Sequence, residues 1–148
     1  MKIALACSPG GHMLQTRRLE AVYEKHDAFF YTFRRGMSEE LAKTRRVVFV
    51  EDTKRNPFFI IVGFLQSLFQ ALKERPNVVI ANGGGFVVPF CWWCKLFGSK
   101  IAFIESFSRV ESPSISGKLV HPIADLFIVQ WEGMRKFYSK AIYGGAVF

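Results

Sequence analysis

Residues 2–12, KIALACSPGGH, place a continuous apolar run directly before a Pro-Gly-Gly turn and a histidine. An unbroken apolar run is typical of a strand that is buried on both faces, and Pro9-Gly10-Gly11 is a turn signal. The following stretch, residues 12–25, is predicted to be helical. The opening is therefore interpreted as a strand, a glycine turn and a helix, the unit from which parallel α/β sheets are built.

The rest of the chain repeats this pattern. Helices are predicted at 36–43, at 86–97 and from Pro57 to about residue 74. Apolar runs predict strands at 28–33, 46–50, 78–81, 100–105 and 126–129, with a short last strand at 141–143. Alternating strands and helices indicate one domain, 1–148, with an α/β fold: a Rossmann-like parallel sheet that carries helices on both faces.

Composition narrows the class of protein without choosing its ligand. The chain has 148 residues, of which 50% are hydrophobic and 22% charged, so it can bury a core. Its formal net charge of +8 attracts phosphates, anionic lipid headgroups or nucleic acid, and charge alone leaves all three open. Three cysteines, and no secretory signal before the first strand, favour a reducing cytoplasmic setting.

The aromatic segments pose a separate question. Residues 57–72 carry no charge, but this run is shorter than the ~20 residues that cross a bilayer. Its apolar arc is wider than an ordinary core-facing stripe. Docking at a membrane interface and burial against a partner both fit this pattern. The candidate membrane contacts are Phe58, Phe59, Phe64, Trp92 and Trp93. Cys91 and Cys94 have redox spacing, but they fall inside a predicted helix, so core packing is expected.

Unusual residues follow three of the predicted strands: Ser8 to His12, Asn82 to Gly85, and Glu105 to Arg109. In open α/β sheets ligands bind beyond the carboxyl ends of the strands. Backbone N–H groups of two glycine loops could bind a diphosphate there, although each loop alone also fits a tight turn. Since the pattern G-x-G-x-x-G is missing, no nicotinamide cofactor is expected, and no set of metal ligands is evident.

Four side chains near these turns could take part in chemistry. His12 fits a general base as well as a capping or phosphate-binding residue. Arg109 could bind phosphate. Glu105 and Glu111 could accept hydrogen bonds from sugar hydroxyls or act as a base, and the alternative for their segment is a capping loop in which Ser114 or Ser116 starts a helix.

Five segments together resemble a known family. The order SPGGH, NGGG, IESFSRVESPSISGK, ADLFIVQW and IYGG is similar to the acceptor-side subunit of the asparagine-linked-glycosylation N-acetylglucosaminyltransferase and to its bacterial capsule and exopolysaccharide relatives. Both glycine loops also resemble those in the N-terminal half of the peptidoglycan lipid II-forming transferase, a GT-B glycosyltransferase with two Rossmann domains.

The resemblance implies one half of an inverting, metal-independent hexosyltransferase that needs no cofactor and is inactive alone. A separate subunit would bind the UDP-sugar, and this chain would bind a polyprenyl-diphosphate sugar, not nucleic acid, peripherally at the cytoplasmic, inner face of the membrane. The resemblance places His12 and Glu105 nearest the reacting hydroxyl, as the expected catalytic residues, and assigns partner docking to Ala146, Val147 and Phe148. The acceptor sugar is expected at Ser106 and Glu111. The diphosphate would contact Ser8, Gly10, Gly11, Asn82, Gly83, Gly84, Gly85 and Arg109.

Two departures from the family pattern qualify this interpretation. Eukaryotic members carry an N-terminal membrane helix, whereas here Lys2 already begins the first strand, which favours a prokaryotic polysaccharide pathway. An acidic residue that often follows the histidine by three positions is Gln15 here. Two alternatives stay open: a non-catalytic module that recruits a competent transferase to the membrane, and a free-standing nucleotide-binding protein.

Overall fold

The structure, a computed structural model, describes residues 1–52 and 57–147. Its centre is a seven-stranded sheet in the order β3-β2-β1-β4-β5-β6-β7, in which every neighbouring pair is parallel. This confirms the predicted parallel sheet, including its short last strand. The strands are β1 Lys2–Cys7, β2 Asp27–Phe33, β3 Val47–Val50, β4 Val78–Asn82, β5 Lys100–Ile104, β6 Leu126–Val129 and β7 Ala141–Tyr143.

Within the described residues, six α-helices cover the two faces of the sheet. They are α1 Gly11–Arg18, α2 Glu20–Tyr23, α3 Gly36–Leu41, α4 Pro57–Glu74, α5 Val87–Leu96 and α6 Ile115–Val120. A 3₁₀ helix, Glu132–Phe137, precedes β7. The predicted helix over 12–25 is instead two short helices. Helix α1 ends at Arg18, and the N–H of the next residue, Leu19, donates to the Thr16 carbonyl three residues back (3.1 Å).

Alternation along the strands explains why they are apolar throughout. In β1, Ala4 and Ala6 belong to a core that includes residues of α4, α5 and α6. Ile3 and Leu5 face the opposite core, with residues of α1, α2 and α3. Both faces of the strand are therefore buried, as the continuous apolar runs predicted.

Cysteine placement confirms core packing. Cys91 and Cys94 on α5 are free and fully buried, as is Cys7 on β1. Burial raises the pKa of the Cys94 thiol to about 12 and raises that of Cys91 as well, so neither thiol is a reactive thiolate near neutral pH.

The sheet register gathers three strand ends at one rim. Cys7 pairs with Asn82 at the ends of β1 and β4, and Asn82 pairs with Ile104 at the end of β5. The turns after these strands therefore start side by side. This confirms the expectation that the two glycine turns lie on the same rim of the sheet.

Helix α4 leaves much of its apolar surface uncovered. Phe58, Ile61, Leu65 and Phe69 are each more than half exposed. Within residues 1–52 and 57–147, no helix is long and apolar enough to span a bilayer.

An ion-pair cluster fastens the end of α4 to the opposite rim of the sheet. The buried Glu74 carboxylate binds Lys2 Nζ at 2.9 Å and Arg46 Nη2 at 2.7 Å, and Lys2 Nζ also donates to the Glu74 carbonyl. Burial by itself would raise the pKa of Glu74, but the bonds from Lys2 and Arg46 outweigh it and hold the pKa below its usual value.

We predict that Glu74→Gln lowers the free energy of unfolding by about 1–3 kcal/mol at pH 7. Because the pKa of Glu74 is lowered by folding, its stabilisation is present above the ordinary glutamate pKa of 4.5 and is lost as the pH falls through the folded-state pKa. Urea unfolding at neutral and acid pH measures both effects. Glu24→Gln, at an exposed position, is the control. A difference in the free energy of unfolding between wild type and Glu74→Gln that stays constant as the pH is lowered would contradict this account.

Candidate functional site

A cavity of about 390 Å³ opens where β1, β4 and β5 end. Its walls come from the second glycine turn and from the polar segment after β5, and His12 reaches it from the start of α1. The lining residues are His12, Gly83, Gly84, Gly85, Ser106, Ser108, Arg109, Ser114, Ile115 and Ser116. The rim thus brings together residues that lie up to a hundred positions apart in the chain.

Two serines hold the imidazole of His12. Ser8 Oγ lies 2.8 Å from Nδ1, and Ser106 Oγ lies 3.1 Å from Nε2. The ring also lies against Gly83, whose φ of +66° suits glycine and where a Cβ would overlap the imidazole. Turns after three different strands therefore fix the orientation of His12.

The environment of His12 favours the neutral ring. Burial lowers the pKa of His12 below 6.5, and the nearby Glu105 charge opposes this only in part. In a neutral imidazole one nitrogen donates and the other accepts, so His12 can take up a proton. A neutral imidazole is compatible with a general base, one of the roles that the sequence left open for His12.

A chain of hydroxyls extends from His12 into the cavity. Ser106 Oγ, which contacts the imidazole, lies 2.9 Å from Ser108 Oγ. Both serines line the cavity together with exposed Arg109. Ser108 belongs to the segment Glu105 to Arg109 that the sequence singled out, but sequence reasoning assigned it no role.

Glu105 lies beneath the cavity instead of in its wall. The residue is 1% exposed, and its carboxylate accepts bonds from the Ser106 N–H (2.8 Å), the Ser114 N–H (3.1 Å), the Ser114 hydroxyl (3.1 Å) and the Tyr138 hydroxyl. Ser114 also caps α6 by accepting from the Gly117 N–H at 2.8 Å, which confirms the predicted helix start. Glu105 therefore orders the whole polar segment.

A buried amide cluster supports the rim from below. Gln15 Oε1 accepts a bond from Asn82 Nδ2 and another from Gln130 Nε2, each 3.0 Å long. Gln130 Nε2 also donates to the Glu105 carbonyl at 2.9 Å. An acidic residue at position 15 could accept the same two bonds, because only its oxygen is used. Asn82 is 1% exposed and is part of this support.

The remaining diphosphate candidates are spread around the cavity. Gly83, Gly84 and Gly85 line it, and Gly84 has a φ of +88°. Gly10 and Gly11 precede His12 but do not line the cavity. Ser8 does not line it either, but its hydroxyl is hydrogen-bonded to the His12 imidazole, which does. Glu111 is exposed and likewise does not line the cavity.

Candidate membrane contacts divide by exposure. Phe58, Phe64 and Trp92 are exposed. Phe59 and Trp93 are partly buried, and the Trp93 ring lies 5.1 Å from that of Phe64.

The C-terminal segment runs back toward the amide cluster. The Val147 N–H donates to Gln130 Oε1 at 3.0 Å, and Val147 packs against the α1–α3 core. Ala146 is exposed, and Phe148 lies outside the described residues. The segment predicted to dock a partner is thus joined to the rim through Gln130.

A second cavity at the same rim has a different character. It measures about 510 Å³, lies at the ends of β2 and β3, and is lined by Arg34, Arg35, Glu51 and Asp52 among others. Arg35 pairs with Asp52 at 3.7 Å. Because its two arginines are balanced by two carboxylates, this cavity attracts a diphosphate less than the site at His12.

A family model described as "Oligosaccharide biosynthesis protein Alg14 like" matches residues 13–147. The chain belongs to this Alg14-like family. Among curated members, the "UDP-N-acetylglucosamine transferase subunit ALG14" of Candida albicans is 45% identical over 91 residues, covering 57% of this chain and 42% of that protein. The Candida glabrata subunit of the same name is 28% identical over 147 residues, covering 86% and 58%. The chain therefore spans less than two thirds of either relative.

Solved structures with the same fold include members of two enzyme classes. MurG of Acinetobacter baumannii superposes with a TM-score of 0.73 at 13% identity, over 90% of this chain and 43% of that one. A UDP-N-acetylglucosamine 2-epimerase from Rickettsia bellii gives 0.78 at 15% identity, over 99% and 45%. At these identities the likeness concerns the fold alone: this Alg14-like chain has the architecture of one lobe of a GT-B protein.

We predict that the imidazole of His12 titrates below pH 6.5 and that Glu105→Gln lowers its pKa further, because the variant removes the negative charge that favours the imidazolium. Histidine-detected NMR titration measures both values, with His12→Gln to assign the signal and amide dispersion to verify folding. A rise in the pKa of His12 in Glu105→Gln would contradict the assigned electrostatics.

Proposed function

We propose that this chain is the acceptor-binding subunit of a two-component glycosyltransferase that transfers a sugar from a UDP-sugar to a polyprenyl-diphosphate sugar. The names of its relatives, UDP-N-acetylglucosamine transferase subunits, support that reaction class. The cavity at His12 carries the proposal, because it combines a held imidazole with exposed glycine backbone and an arginine.

The acceptor's diphosphate would bind beside the second glycine turn. The exposed Gly85 and the partly exposed Gly84 allow phosphate oxygens to approach the backbone, while the buried Gly83 lies against His12, and Arg109 supplies a positive charge. The N-terminus of α5, which begins at Val87, adds a favourable dipole. Gly10 and Gly11 would contribute through the start of α1.

His12 would act as the general base. The acceptor's attacking hydroxyl would approach Ser106, which hydrogen-bonds the His12 Nε2. As the new bond forms between that oxygen and the donor's anomeric carbon, the hydroxyl proton passes by way of Ser106 to Nε2, and UDP leaves with the electrons of the broken bond. Inversion follows from attack opposite the leaving group.

Glu105 would position the catalytic segment without touching the substrate. It is buried, but its charge acts on His12 and its bonds hold Ser106 and Ser114. Glu111, exposed on the same segment, would meet the outer part of the acceptor sugar.

The donor site would lie on a separate subunit, as in any GT-B enzyme whose two lobes are separate chains. Ala146, Val147 and Phe148 would dock this partner, with Val147 anchored through Gln130. The exposed apolar face of α4 would rest on the cytoplasmic side of a membrane that carries the lipid-linked acceptor.

We predict that His12→Gln lowers kcat of the two-subunit enzyme about 10²- to 10⁴-fold with little change in acceptor KM. The acid limb of the wild-type pH–rate profile should lie below pH 6.5, because the pKa of His12 is lowered, and it should be lost in the variant. Transfer from UDP-N-acetylglucosamine to a polyprenyl-diphosphate N-acetylglucosamine measures both. His26→Gln, at an exposed histidine, is the matched control. Full turnover in His12→Gln would favour the recruiting-module alternative.

We predict that removing residues 146–148 abolishes co-purification with the donor-binding partner, while the remaining chain stays folded. Loss of the Val147 contact leaves the sheet intact, since β7 ends at Tyr143. Pull-down together with circular dichroism separates binding from folding. Retained binding by the truncated chain would refute the assigned docking segment.

A further inference from the structure

An apolar groove of about 450 Å³ begins beside the polar cavity. Gly85 lines both of them, so the groove adjoins the proposed diphosphate position at this residue. The other lining residues are Ile60, Phe64, Phe86, Val88, Pro89, Trp92 and Leu119.

Contacts between three helices define the groove. The ring of Phe64 on α4 contacts that of Trp93 on α5 in a tilted arrangement, with the ring centroids 5.1 Å apart and the planes at 60°. On the other side, Trp92 Nε1 donates to the Leu119 carbonyl of α6 at 3.1 Å. The walls are therefore fixed by specific contacts, as expected of a pre-formed ligand pocket of ordinary volume.

Helix α4 carries two apolar stripes, and only one faces the groove. Ile60 and Phe64 are four residues apart and line it. Ile61 and Leu65, also four apart, lie on the adjacent stripe, outside the lining, and are 62% and 58% exposed. This division accounts for the unusually wide apolar arc of the helix, since one stripe forms a pocket wall and the other an outer surface.

We propose that this groove binds the first isoprene units of the acceptor's own lipid chain. The inference rests on the proposed function, because it takes the diphosphate at Gly85 as given. A lipid attached to that diphosphate can leave the polar cavity past Gly85, where it meets an apolar groove bounded by three helices. The enzyme thereby recognises an isoprenoid diphosphate as one amphiphile, with its charged and apolar parts bound by adjoining surfaces.

If the groove binds the lipid chain, the transfer rate should depend on the length of that lipid even when no membrane is present. Apolar surface moved from water into a protein groove contributes to affinity in proportion to its area. An acceptor with a short isoprenoid should therefore be used better than one with a methyl group, even when both are fully dissolved.

The test compares two acceptors of the two-subunit enzyme, farnesyl and methyl diphosphate N-acetylglucosamine, in detergent-free buffer below any micelle concentration. We expect kcat/KM to be at least about tenfold higher for the farnesyl acceptor. Ile60→Gln and Leu119→Gln should each reduce the farnesyl value about tenfold and leave the methyl value unchanged.

Matched controls come from the adjacent, exposed stripe of α4 that does not line the groove. Ile61→Gln and Leu65→Gln make the same chemical changes at exposed positions of α4, and both acceptors should retain wild-type kcat/KM. Equal losses for the groove and control variants, or losses that also affect the methyl acceptor, would overturn the groove assignment. So would equal use of the two acceptors by the wild type. If the wild type uses neither acceptor, the proposed function itself fails.

Discussion

The parallel pairing of β1 with β4 and of β4 with β5 is the constraint on which the site depends. Because all three strands end at one rim, Ser8, Gly83 and Ser106 reach the same imidazole from turns that are remote in sequence. A shift of one strand by a single residue would exchange its two buried faces and displace its turn. Two apolar cores therefore fix the register that orients His12.

Below that rim, buried amide side chains are hydrogen-bonded into a cluster. Gln15 joins α1 to the ends of β4 and β6, and Gln130 extends the same cluster to Glu105 and Val147. Breaking these hydrogen bonds would leave buried polar atoms without partners, which would lower the stability of the fold. The bonds therefore hold α1, the strand ends and the C-terminal segment in one arrangement. Above the rim, a polar cavity and an apolar groove share Gly85. This surface is therefore complementary to an amphiphilic ligand, which has one polar and one apolar part.

Local patterns were sufficient to predict the fold. Apolar runs marked all seven strands, and glycine turns marked the rim, because strand burial and turn geometry depend on neighbouring residues. The site was predicted less completely. Glu105 was placed near the reacting hydroxyl, but its burial depends on Tyr138 and Ser114, whose approach follows from tertiary packing. Gln15 and Gln130 carry no local signal of their shared contact, and the two stripes of α4 could be separated only once α5 and α6 were in position.

The most direct test of the account is a crystal structure of this chain, with its donor-binding partner, bound to farnesyl diphosphate N-acetylglucosamine. The account predicts phosphate oxygens within hydrogen-bonding distance of backbone N–H groups in the turn that contains Gly83 to Gly85, close to Arg109, with the sugar beside Ser106 and His12. A diphosphate bound instead between Arg34 and Arg35, at the ends of β2 and β3, would contradict it.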